Sequence, residues 1–401
     1  MIDQELIADC IHCGFCLPTC PTYGPLWREE MDSPRGRIHL MAGLLDGTVP
    51  LTAATVEHFD RCLGCMACVT ACPSGVKYDR LIEQTREYVE ERYEREPSDA
   101  LLRSLVFAVF PHPRRLRAAL RLAPLGRRLP VPSRLAPLVE LAPRWRDTES
   151  PLELTLGQGE RRARVGLLTG CVQSVLFGSV NAATARVLSA EGCDVLAPRS
   201  QRCCGALHLH AGRREEGLER ARRLAQTFRE AGADAIVVNA AGCGSHLKDA
   251  ELDVPVKDVS EVLAELVPRA KRNRLELRVA FQDSCHLAHA QAIREQPRAL
   301  LRSIPGLEVA EPAEQAICCG SAGIYNLVQP DAARELGDRK AGHVLATDAD
   351  VYASANPGCL VQVTTALRRR GQPLPALHPV ELLDASISGE ERAAVLARAR
   401  R

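Results

Sequence analysis

Eight cysteines near the start of the chain fall into two runs with the same spacing. The runs are Cys10-x2-Cys13-x2-Cys16-x3-Cys20-Pro21 and Cys62-x2-Cys65-x2-Cys68-x3-Cys72-Pro73. Three cysteines at two-residue gaps can ligate one four-iron cluster, while the fourth, followed by proline, points toward a second cluster. The spacing therefore predicts two neighbouring [4Fe-4S] clusters that could exchange electrons.

In this spacing the fourth cysteine of each run serves the cluster that the other run holds. The predicted ligands of the first cluster are Cys10, Cys13, Cys16 and Cys72. Those of the second cluster are Cys62, Cys65, Cys68 and Cys20. Because such clusters carry electrons, we assign no residue of the chain a catalytic role.

Two simpler interpretations of the runs fit less well. A structural zinc site needs four ligands, commonly in two Cys-x2-Cys pairs, and has no use for a third two-residue gap. Disulfide bonds among four cysteines within eleven residues would close small, strained loops. Iron-sulfur clusters are therefore the favoured interpretation.

The composition indicates a reduced compartment. The chain has 401 residues, seventeen cysteines and a formal net charge of +1, so its charge does not attract the whole molecule to nucleic acid. Residues 1–9 carry three acids and no apolar run, unlike a secretory signal. The longest apolar run, 105–110, is far short of the roughly 18 residues that span a bilayer. We expect a cytoplasmic protein, with peripheral contact on the inner face of the membrane left open.

The segment between the two runs predicts helices. Ser33 can cap a helix that begins at Pro34 and ends at Gly47. A short helix is expected over 52–61 and a charged helix over 78–96. Small ferredoxins with this cysteine spacing are mostly β, so we predict a helical version of the two-cluster module.

Residues 101–146 form a basic, proline-rich segment. They include ten arginines, seven prolines, no lysine and one acid, Glu140. The prolines predict a connector of short helices, such as 114–122 and 133–141. Two interpretations stay open: a solvated linker, or a leucine-bearing basic surface that docks on a partner subunit or on anionic lipid. Nucleic acid is not favoured, because aromatic residues do not interleave with the arginines.

The second half of the chain is duplicated. Residues 165–171, 203–205 and 236–243 recur as 279–285, 318–320 and 351–359, at offsets of 114 to 116 residues. Three anchors at nearly one offset indicate tandem copies of one domain. In each copy buried strand patterns alternate with helical patterns, which predicts parallel sheets covered by helices.

Each copy carries four cysteines at these anchors. They are Cys171, Cys203, Cys204 and Cys243 in the first copy and Cys285, Cys318, Cys319 and Cys359 in the second. Because parallel strands end at one edge of a sheet, four thiolates can converge there beside helix N-termini and could hold a further iron-sulfur cluster. The alternative is that a copy has decayed and its cysteines are merely buried.

Other candidate side chains are given structural roles. Cys193 lies outside the repeated pattern and is predicted to be a core residue. A structural role is also favoured for His208, His210, His286 and His289, although His286 could donate to a cluster sulfur. No dinucleotide or nucleoside triphosphate motif is readable. The electrons must therefore come from a flavin or a similar group elsewhere.

Several motifs resemble those of a known family. They are Cys-Ile-His-Cys-Gly-Phe-Cys at 10–16, Cys-Pro-Thr-Tyr at 20–23, Pro-Arg-Gly-Arg-Ile at 34–38, Cys-Pro-Ser-Gly-Val at 72–76, Cys-Cys-Gly-Ala at 203–206 and Cys-Cys-Gly-Ser-Ala-Gly at 318–323. Together they resemble the iron-sulfur subunits of bacterial glycolate oxidases over nearly the whole chain. The wider family joins a two-[4Fe-4S] ferredoxin module to tandem cysteine-cysteine-glycine (CCG) domains. It includes subunits of lactate-utilisation and anaerobic glycerol-3-phosphate dehydrogenases and of heterodisulfide reductase.

The resemblance implies an electron-transfer subunit of a flavin-dependent glycolate (2-hydroxyacid) dehydrogenase complex, and so an oxidoreductase by membership. Its implied partners are FAD-containing subunits and a quinone or other acceptor. The rival is a cluster-dependent thiol-disulfide reductase of the heterodisulfide type, in which each repeat ends in Cys-x-x-Cys. Here Ala240 and Asn356 stand three residues before Cys243 and Cys359. That departure weakens the rival and the case for its non-cubane clusters.

The predicted fold is α+β and multidomain. A helical ferredoxin-like domain with two [4Fe-4S] clusters is expected over 1–96, and the basic helical connector over 97–162. The two CCG repeats, each α/β with a parallel sheet, are expected over 163–270 and 271–401.

Overall fold

The computed structural model describes residues 2–126, 131–143 and 149–399. Parts of the predicted connector, 127–130 and 144–148, lie outside the described residues. None of the described helices combines the length and the apolar character needed to cross a bilayer.

The N-terminal module is helical within the described residues. Its helices are Gln4–Ala8, Pro34–Asp46, Ala53–Asp60, Ala67–Ala71 and Tyr78–Arg92, with a π-helical turn at Thr22–Trp27 and a 3-10 turn at Glu30–Asp32. Ser33 Oγ accepts from the main-chain N–H of Gly36 at 3.0 Å, and Gly47 ends the helix with φ 79°, as predicted. The last helix ends at Arg92, four residues before the predicted end. Met41 and Leu81 lie in the buried core between these helices.

The described part of the connector packs against the repeats rather than standing in solvent. It forms the helices Pro97–Val109, Pro113–Gly126 and Ala136–Leu141, with a 3-10 turn at Ser133–Leu135. Val106 of its first helix packs with Ala211 of the first repeat and Leu327 of the second. Leu116 and Leu120 of its second helix pack against Val175. Of the two interpretations left open, a solvated linker therefore does not describe these helices.

The first repeat is built on a mostly parallel sheet. Its strands are β1 (Leu154–Thr155), β2 (Ala163–Leu167), β3 (Cys193–Leu196), β4 (Ala235–Val238) and β5 (Val256–Asp258). Their order in space is β1-β3-β2-β4-β5, and only the edge strand β1 runs antiparallel within the described sheet. The helices are Gln173–Leu176, Gly178–Ala190, Ala206–His210, Arg214–Glu230, Ala241–Asp249 and Val259–Glu265.

The second repeat copies this topology. Its strands are β6 (Arg278–Gln282), β7 (Glu308–Ala310), β8 (Val351–Ser354) and β9 (Ala376–Leu377), all parallel in the order β7-β6-β8-β9. The helical segments are a π-helical turn at His286–Ala290 and the helices Glu295–Arg302, Tyr325–Val328, Pro330–Leu345, Pro357–Arg369, Pro379–Ser388 and Arg392–Ala399. Even the register is repeated. Val165 pairs with Val195 and Ala235, and Val279, 114 residues later, pairs with Val309 and Val351.

The central strand of each repeat ends before the cysteine that follows it, and the reason is the same in both repeats. β2 ends at Leu167 and β6 at Gln282, before Cys171 and Cys285. Just beyond each strand, a main-chain N–H donates its hydrogen bond to a glutamine side chain and not to a neighbouring strand. Gln201 Oε1 accepts from Thr169, and Gln315 Oε1 accepts from Asp283, both at 2.9 Å. The chain thus leaves the sheet before it reaches the cysteines.

The two repeats share one hydrophobic core. Val165, Val195 and Val237 of the first sheet belong to the same buried cluster as Val279 and Phe281 of the second. Such continuous packing holds the cysteine-bearing edges of the two sheets in a fixed relation.

Candidate metal centre

Cys20 leaves the first cysteine run and lies among the thiols of the second. Burial raises the pKa of the Cys68 thiol well above its usual range, and the charges of neighbouring thiols add to the effect. These neighbours are Cys65, Cys62, Cys20 and Cys16. All of them except Cys16 are buried. Thiols from both runs therefore converge in one buried volume, which we call the inner group: Cys20, Cys62, Cys65 and Cys68.

The other four cysteines of the runs, the outer group, lie nearer the surface. Cys13 is exposed, and Cys10, Cys16 and Cys72 are half-buried against the core of the module. Burial raises the pKa of Cys16 to about 11, although a main-chain N–H bond from Arg35 opposes the shift. The structure thus separates the eight cysteines by depth.

Arg37 is a fully buried cation beside the inner group, with 1% of its surface exposed. Its Nη1 donates to Thr22 Oγ1 at 3.1 Å, and its Nε donates to the main-chain oxygen of His58 at 2.6 Å. Thr22 Oγ1 lies 3.2 Å from Cys20 Sγ. Asp32 pairs with Arg37 at 3.4 Å. Only the Thr22 side chain therefore lies between the positive charge of Arg37 and Cys20, a predicted ligand.

Hydrogen-bond donors point at the sulfur of Cys62. The N–H of Gly64 lies 3.4 Å and the hydroxyl of Tyr78 lies 3.7 Å from Cys62 Sγ. Burial is the largest influence and opposes ionisation of this thiol, but the charges of Arg37 and Arg86 together with these two hydrogen bonds outweigh it and lower the pKa of Cys62. Donors and cations of this kind stabilise thiolates and tune cluster potentials.

The four thiols of the first repeat form an unbroken series of contacts. Cys171 hydrogen-bonds with Cys203, which raises the pKa of Cys171 well above its usual range and lowers that of Cys203. Cys204 hydrogen-bonds with Cys203 and Cys243. Cys243 lies in the first turn of its helix, Ala241–Asp249. The convergence expected of this repeat is therefore present.

The second repeat repeats the series. Cys318 hydrogen-bonds with Cys285 and Cys319, and Cys319 Sγ lies 3.4 Å from Cys359 Sγ. Asn356 Nδ2 lies 3.6 Å from Cys359 Sγ. The Asn356 amide thus contacts the Cys359 sulfur, and it occupies the position where the Cys-x-x-Cys pattern of disulfide reductases has its first cysteine.

Each cysteine pair ends in a glycine that the packing requires. Gly205 and Gly320 have φ of 98° and 90°, a backbone conformation that residues other than glycine rarely adopt. A Cβ there would lie 2.2 Å from the main-chain oxygen of Gly217 or 2.5 Å from that of Ala333. Each glycine thus packs directly against the backbone of a helix, Arg214–Glu230 in the first repeat and Pro330–Leu345 in the second.

The second repeat adjoins the inner group. Cys65 and Cys318 belong to one buried cluster. Burial raises the pKa of Cys65 well above its usual range, and the charge of Cys318 is the next cause of that shift. His286 Nε2 lies 3.1 Å from the main-chain oxygen of Gly64, between two cysteines of the inner group. Sequence spacing gave no sign of this junction.

The histidines contact main chain and rings. His286 and His210 pack edge to face at 4.8 Å, and His208 packs on Phe107 at 5.0 Å. The Nε2 of His289 lies 3.3 Å from a main-chain oxygen. His286 could donate to a cluster sulfur on sequence grounds, but its Nε2 is taken by the main-chain oxygen of Gly64. Burial lowers the pKa of His286 to about 4.

The remaining cysteine, Cys193, is fully buried on β3 within the shared core, as predicted.

The donor sets fit iron-sulfur clusters better than single ions. Among the described residues, no group of three or more His, Cys, Asp or Glu is placed to hold one metal ion. All the cysteines of both runs and both repeats are free thiols. A four-iron cluster takes four thiolate ligands and carries negative charge together with them. Sets made only of thiols, near N–H donors and buried cations, suit such a cluster.

Comparison with known proteins supports the same view. A family model of a 4Fe-4S dicluster domain matches residues 6–76, and one of a cysteine-rich domain matches 165–248 and 279–364. The probable glycolate oxidase iron-sulfur subunit of Bacillus subtilis is 35% identical, over 95% of this chain and 94% of its own. The glycolate oxidase iron-sulfur subunit of Escherichia coli is 36% identical, over 96% of each. The chain belongs to this family.

As a glycolate oxidase iron-sulfur subunit homologue, the chain is an iron-sulfur protein, and the predicted fold class is confirmed. A solved structure adds evidence of fold alone. A hypothetical protein from Helicobacter pylori superposes with a TM-score of 0.55 at 8% identity, covering 90% of this chain and 69% of the other.

The sequence did not reveal several side chains that lie near the inner group. Arg37 lies in the Pro-Arg-Gly-Arg motif, but nothing in the motif says which arginine is buried. Tyr78, Arg86 and Tyr325 carry no spacing signal. Their proximity to the inner group depends on how the helices pack.

Proposed function

We propose that this chain relays electrons from an FAD-containing partner subunit, which oxidises glycolate or a similar 2-hydroxyacid, to a quinone or another acceptor. The observation that carries the proposal is the convergence of Cys20 with the thiols of the second run. It is the arrangement that two neighbouring clusters need. The two full-length relatives supply the substrate class by their names.

The proposed ligands follow the inner and outer groups. Cys62, Cys65, Cys68 and Cys20 would hold one [4Fe-4S] cluster, and Cys10, Cys13, Cys16 and Cys72 the other. When bound, such clusters accept and release one electron at a time, which lets a two-electron flavin reaction feed a one-electron path. The greater exposure of the outer group favours it as the entry point from a partner subunit.

The chain's own residues tune and shield this path. Arg37 and Arg86 offset negative charge at Cys62, and the Gly64 N–H and the Tyr78 hydroxyl stabilise its thiolate form. Burial of the inner group keeps water away from its sulfurs. The arginines and the hydrogen-bond donors favour the reduced, more negatively charged state of a cluster held there, whereas burial opposes it.

The repeats offer a further binding site for a cluster. Each series of four thiols could hold one, and the shared buried cluster of Cys65 and Cys318 would let the second repeat extend the path. The rival function, a thiol-disulfide reductase, uses the same repeats as an active site. Asn356 stands in place of the first cysteine of the Cys-x-x-Cys pair that ends in Cys359, and this departure argues against the rival.

Partners and membrane contact belong to the same proposal. Leu101 and Leu105 on the first connector helix and Leu122 on the second are exposed, at 72%, 42% and 62%. Arginines accompany Leu122 along the helix Pro113–Gly126. A basic, leucine-bearing surface of this kind suits peripheral docking on an anionic bilayer or on a partner subunit.

Iron content and copurification test the proposal. Anaerobically purified chain should contain about eight irons if only the runs are loaded, and twelve or more if a repeat is loaded as well. A flavoprotein should copurify and reduce the clusters when a 2-hydroxyacid is added. Iron-loaded chain that reduces disulfides but accepts no electrons from a flavoprotein would instead support the rival.

A further inference from the structure

Two histidines of the second repeat contact the segment that carries the inner group. His286 and His289 lie on one π-helical turn, His286–Ala290. His286 Nε2 lies 3.1 Å from the main-chain oxygen of Gly64, and His289 Nδ1 lies 2.8 Å from the hydroxyl of Thr70. Gly64 belongs to the first half of the second cysteine run and Thr70 to its second half. One turn of the second repeat therefore contacts both halves of that run.

The same turn is joined to the thiol series of its own repeat. His286 follows Cys285 directly in the chain. His289 Nε2 lies 3.3 Å from the main-chain oxygen of Ala316, which stands two residues before Cys318. Each histidine therefore links one segment of the second cysteine run to one thiol-bearing segment of the second repeat.

The hydrogen-bonding roles of the ring nitrogens follow from their partners. A carbonyl oxygen only accepts, so Nε2 carries the proton in both His286 and His289. In the neutral ring of His289, Nδ1 then accepts from Arg294 Nη2 at 3.1 Å and faces the Thr70 hydroxyl at 2.8 Å. Both histidines are buried, with 9% and 7% of their surfaces exposed. Such buried, paired rings hold the segments that they join in one arrangement.

The first repeat lacks both histidines. At the offset of 114 residues that separates the two copies of this segment, the matching positions are Val172 and Val175. Both valines pack in the apolar cluster that contains Leu116 and Leu120 of the second connector helix. The same segment of a duplicated domain thus contacts the connector in one copy and the inner group in the other.

The thiols of the two repeats differ in the same way. Cys318 of the second repeat shares a buried cluster with Cys65 of the inner group. Cys204 of the first repeat lies in a buried cluster that is built from first-repeat residues. The charge of Cys318 also contributes to the raised pKa of Cys65. A ligand of the inner group therefore has its thiol neighbour in the second repeat.

We propose that His286 and His289 are positioning residues that hold the second repeat against the inner group, so that electrons leave the inner group through the second repeat and not through the first. This inference rests on the proposed electron-transfer function. One electron would pass from a cluster held by the inner group to a cluster held by the four thiols of the second repeat. The first cluster is oxidised as the second is reduced, and no bond forms or breaks. The electron comes from the hydroxyacid that is oxidised on the partner flavoprotein.

Electron paramagnetic resonance of the full-length, cluster-loaded chain, reduced with dithionite, tests this arrangement without turnover. Reduced clusters that lie close together split each other's signals, so the wild type should show such splitting. Cys319→Ser, which removes a ligand of the second repeat, should remove one part of the splitting. Cys204→Ser, its counterpart in the first repeat, should leave that part intact.

Histidine variants test the positioning itself. The double variant His286→Ala, His289→Ala should reduce the part of the splitting that Cys319→Ser removes, because dipolar coupling falls with the cube of the distance between the spins. His286→Gln, whose amide can still donate to Gly64, should retain it. His343→Ala is the matched control, because His343 lies in the same repeat but pairs with Glu314 at 3.1 Å, and it should resemble the wild type.

The outcomes separate this arrangement from the proposed function. Iron content and circular dichroism establish that each variant is folded and loaded; if the double variant loses iron, His286→Ala alone and its rescue by His286→Gln decide. A splitting that Cys319→Ser leaves unchanged overturns the route through the second repeat, and so does one that only Cys204→Ser alters. A splitting that the histidine variants keep in full overturns the positioning role.

Reduction by the flavoprotein is measured on the same samples. If the flavoprotein reduces the inner cluster while any of these contrary results is found, the inference is wrong and the electron-transfer function stands. If the spectra change as expected while the flavoprotein reduces no cluster, the placement of the second repeat by the histidines stands and that function is wrong.

Discussion

Replacing Arg37 by glutamine should lower the reduction potential of the inner cluster. The arginine Nη1 contacts Thr22 Oγ1 at 3.1 Å, and that oxygen lies 3.2 Å from Cys20 Sγ. The charge is therefore at most about 6.3 Å from a proposed ligand sulfur, the sum of these distances. Two unit charges at that separation interact by about 2.6 kcal/mol at an effective dielectric constant of about 20.

For a one-electron step this energy corresponds to about 110 mV. Two effects reduce it: Asp32 places an opposite charge 3.4 Å from Arg37, and the added electron spreads over the cluster. We therefore expect the potential to fall by roughly 50 to 100 mV. The fold should persist, because Asp32 keeps His58 at 2.9 Å and Arg61 at 2.8 Å.

A redox titration followed by electron paramagnetic resonance measures this shift on the full-length chain. Arg35→Gln is the matched control, since Arg35 lies on the same helix but pairs with the half-buried Glu30 near the outer group. The control should leave the inner cluster's potential unchanged. An upward shift or no measurable shift in Arg37→Gln, with iron content intact, would refute the electrostatic reasoning.

Three further predictions concern ligation, packing and pH. Cys20→Ser should remove the inner cluster and about four irons, whereas Cys193→Ser should keep all iron; equal iron in both variants would contradict the crossed ligand set. Gly320→Ala should cost about 2 kcal/mol or more in urea unfolding because of its φ and close contact, whereas Gly242→Ala, with nothing within 4 Å, should not destabilise; equal stabilities would contradict this. Burial lowers the pKa of His378 to about 3, so stability should be full above about pH 6.5 and fall as the pH drops toward 3, where the unfolded chain binds the proton first. His378→Asn should flatten that slope, and an unchanged slope in denaturation series at several pH values would assign it to other groups.

The sequence predicted the features that depend on local spacing. The spacing of the cysteines is read directly from the sequence, so both runs could be recognised as a two-cluster module. Ser33 and Gly47 likewise indicated where one helix begins and ends. The duplication also predicted that the two repeats share one topology, because equivalent residues such as Val165 and Val279 occupy equivalent strands.

Features that depend on packing between distant segments could not be predicted. Cys65 of the module shares a buried cluster with Cys318 and Tyr325 of the second repeat, and these residues meet only because the second repeat packs on the module. The alternation of strand and helical patterns did not show that the chain breaks between His286–Ala290 and Glu295–Arg302. At the break Ala292 has φ 56°, and the sequence has no glycine there that would predict a turn.

Freeze-quench electron paramagnetic resonance can follow electrons from the flavin to the clusters. The full-length chain with its copurifying flavoprotein is mixed anaerobically with glycolate and frozen at increasing times. Reduced-cluster signals should appear as the flavin is reoxidised, and Cys13→Ser should interrupt this flow. Flavin that stays reduced while both clusters remain oxidised would show that the chain does not relay these electrons.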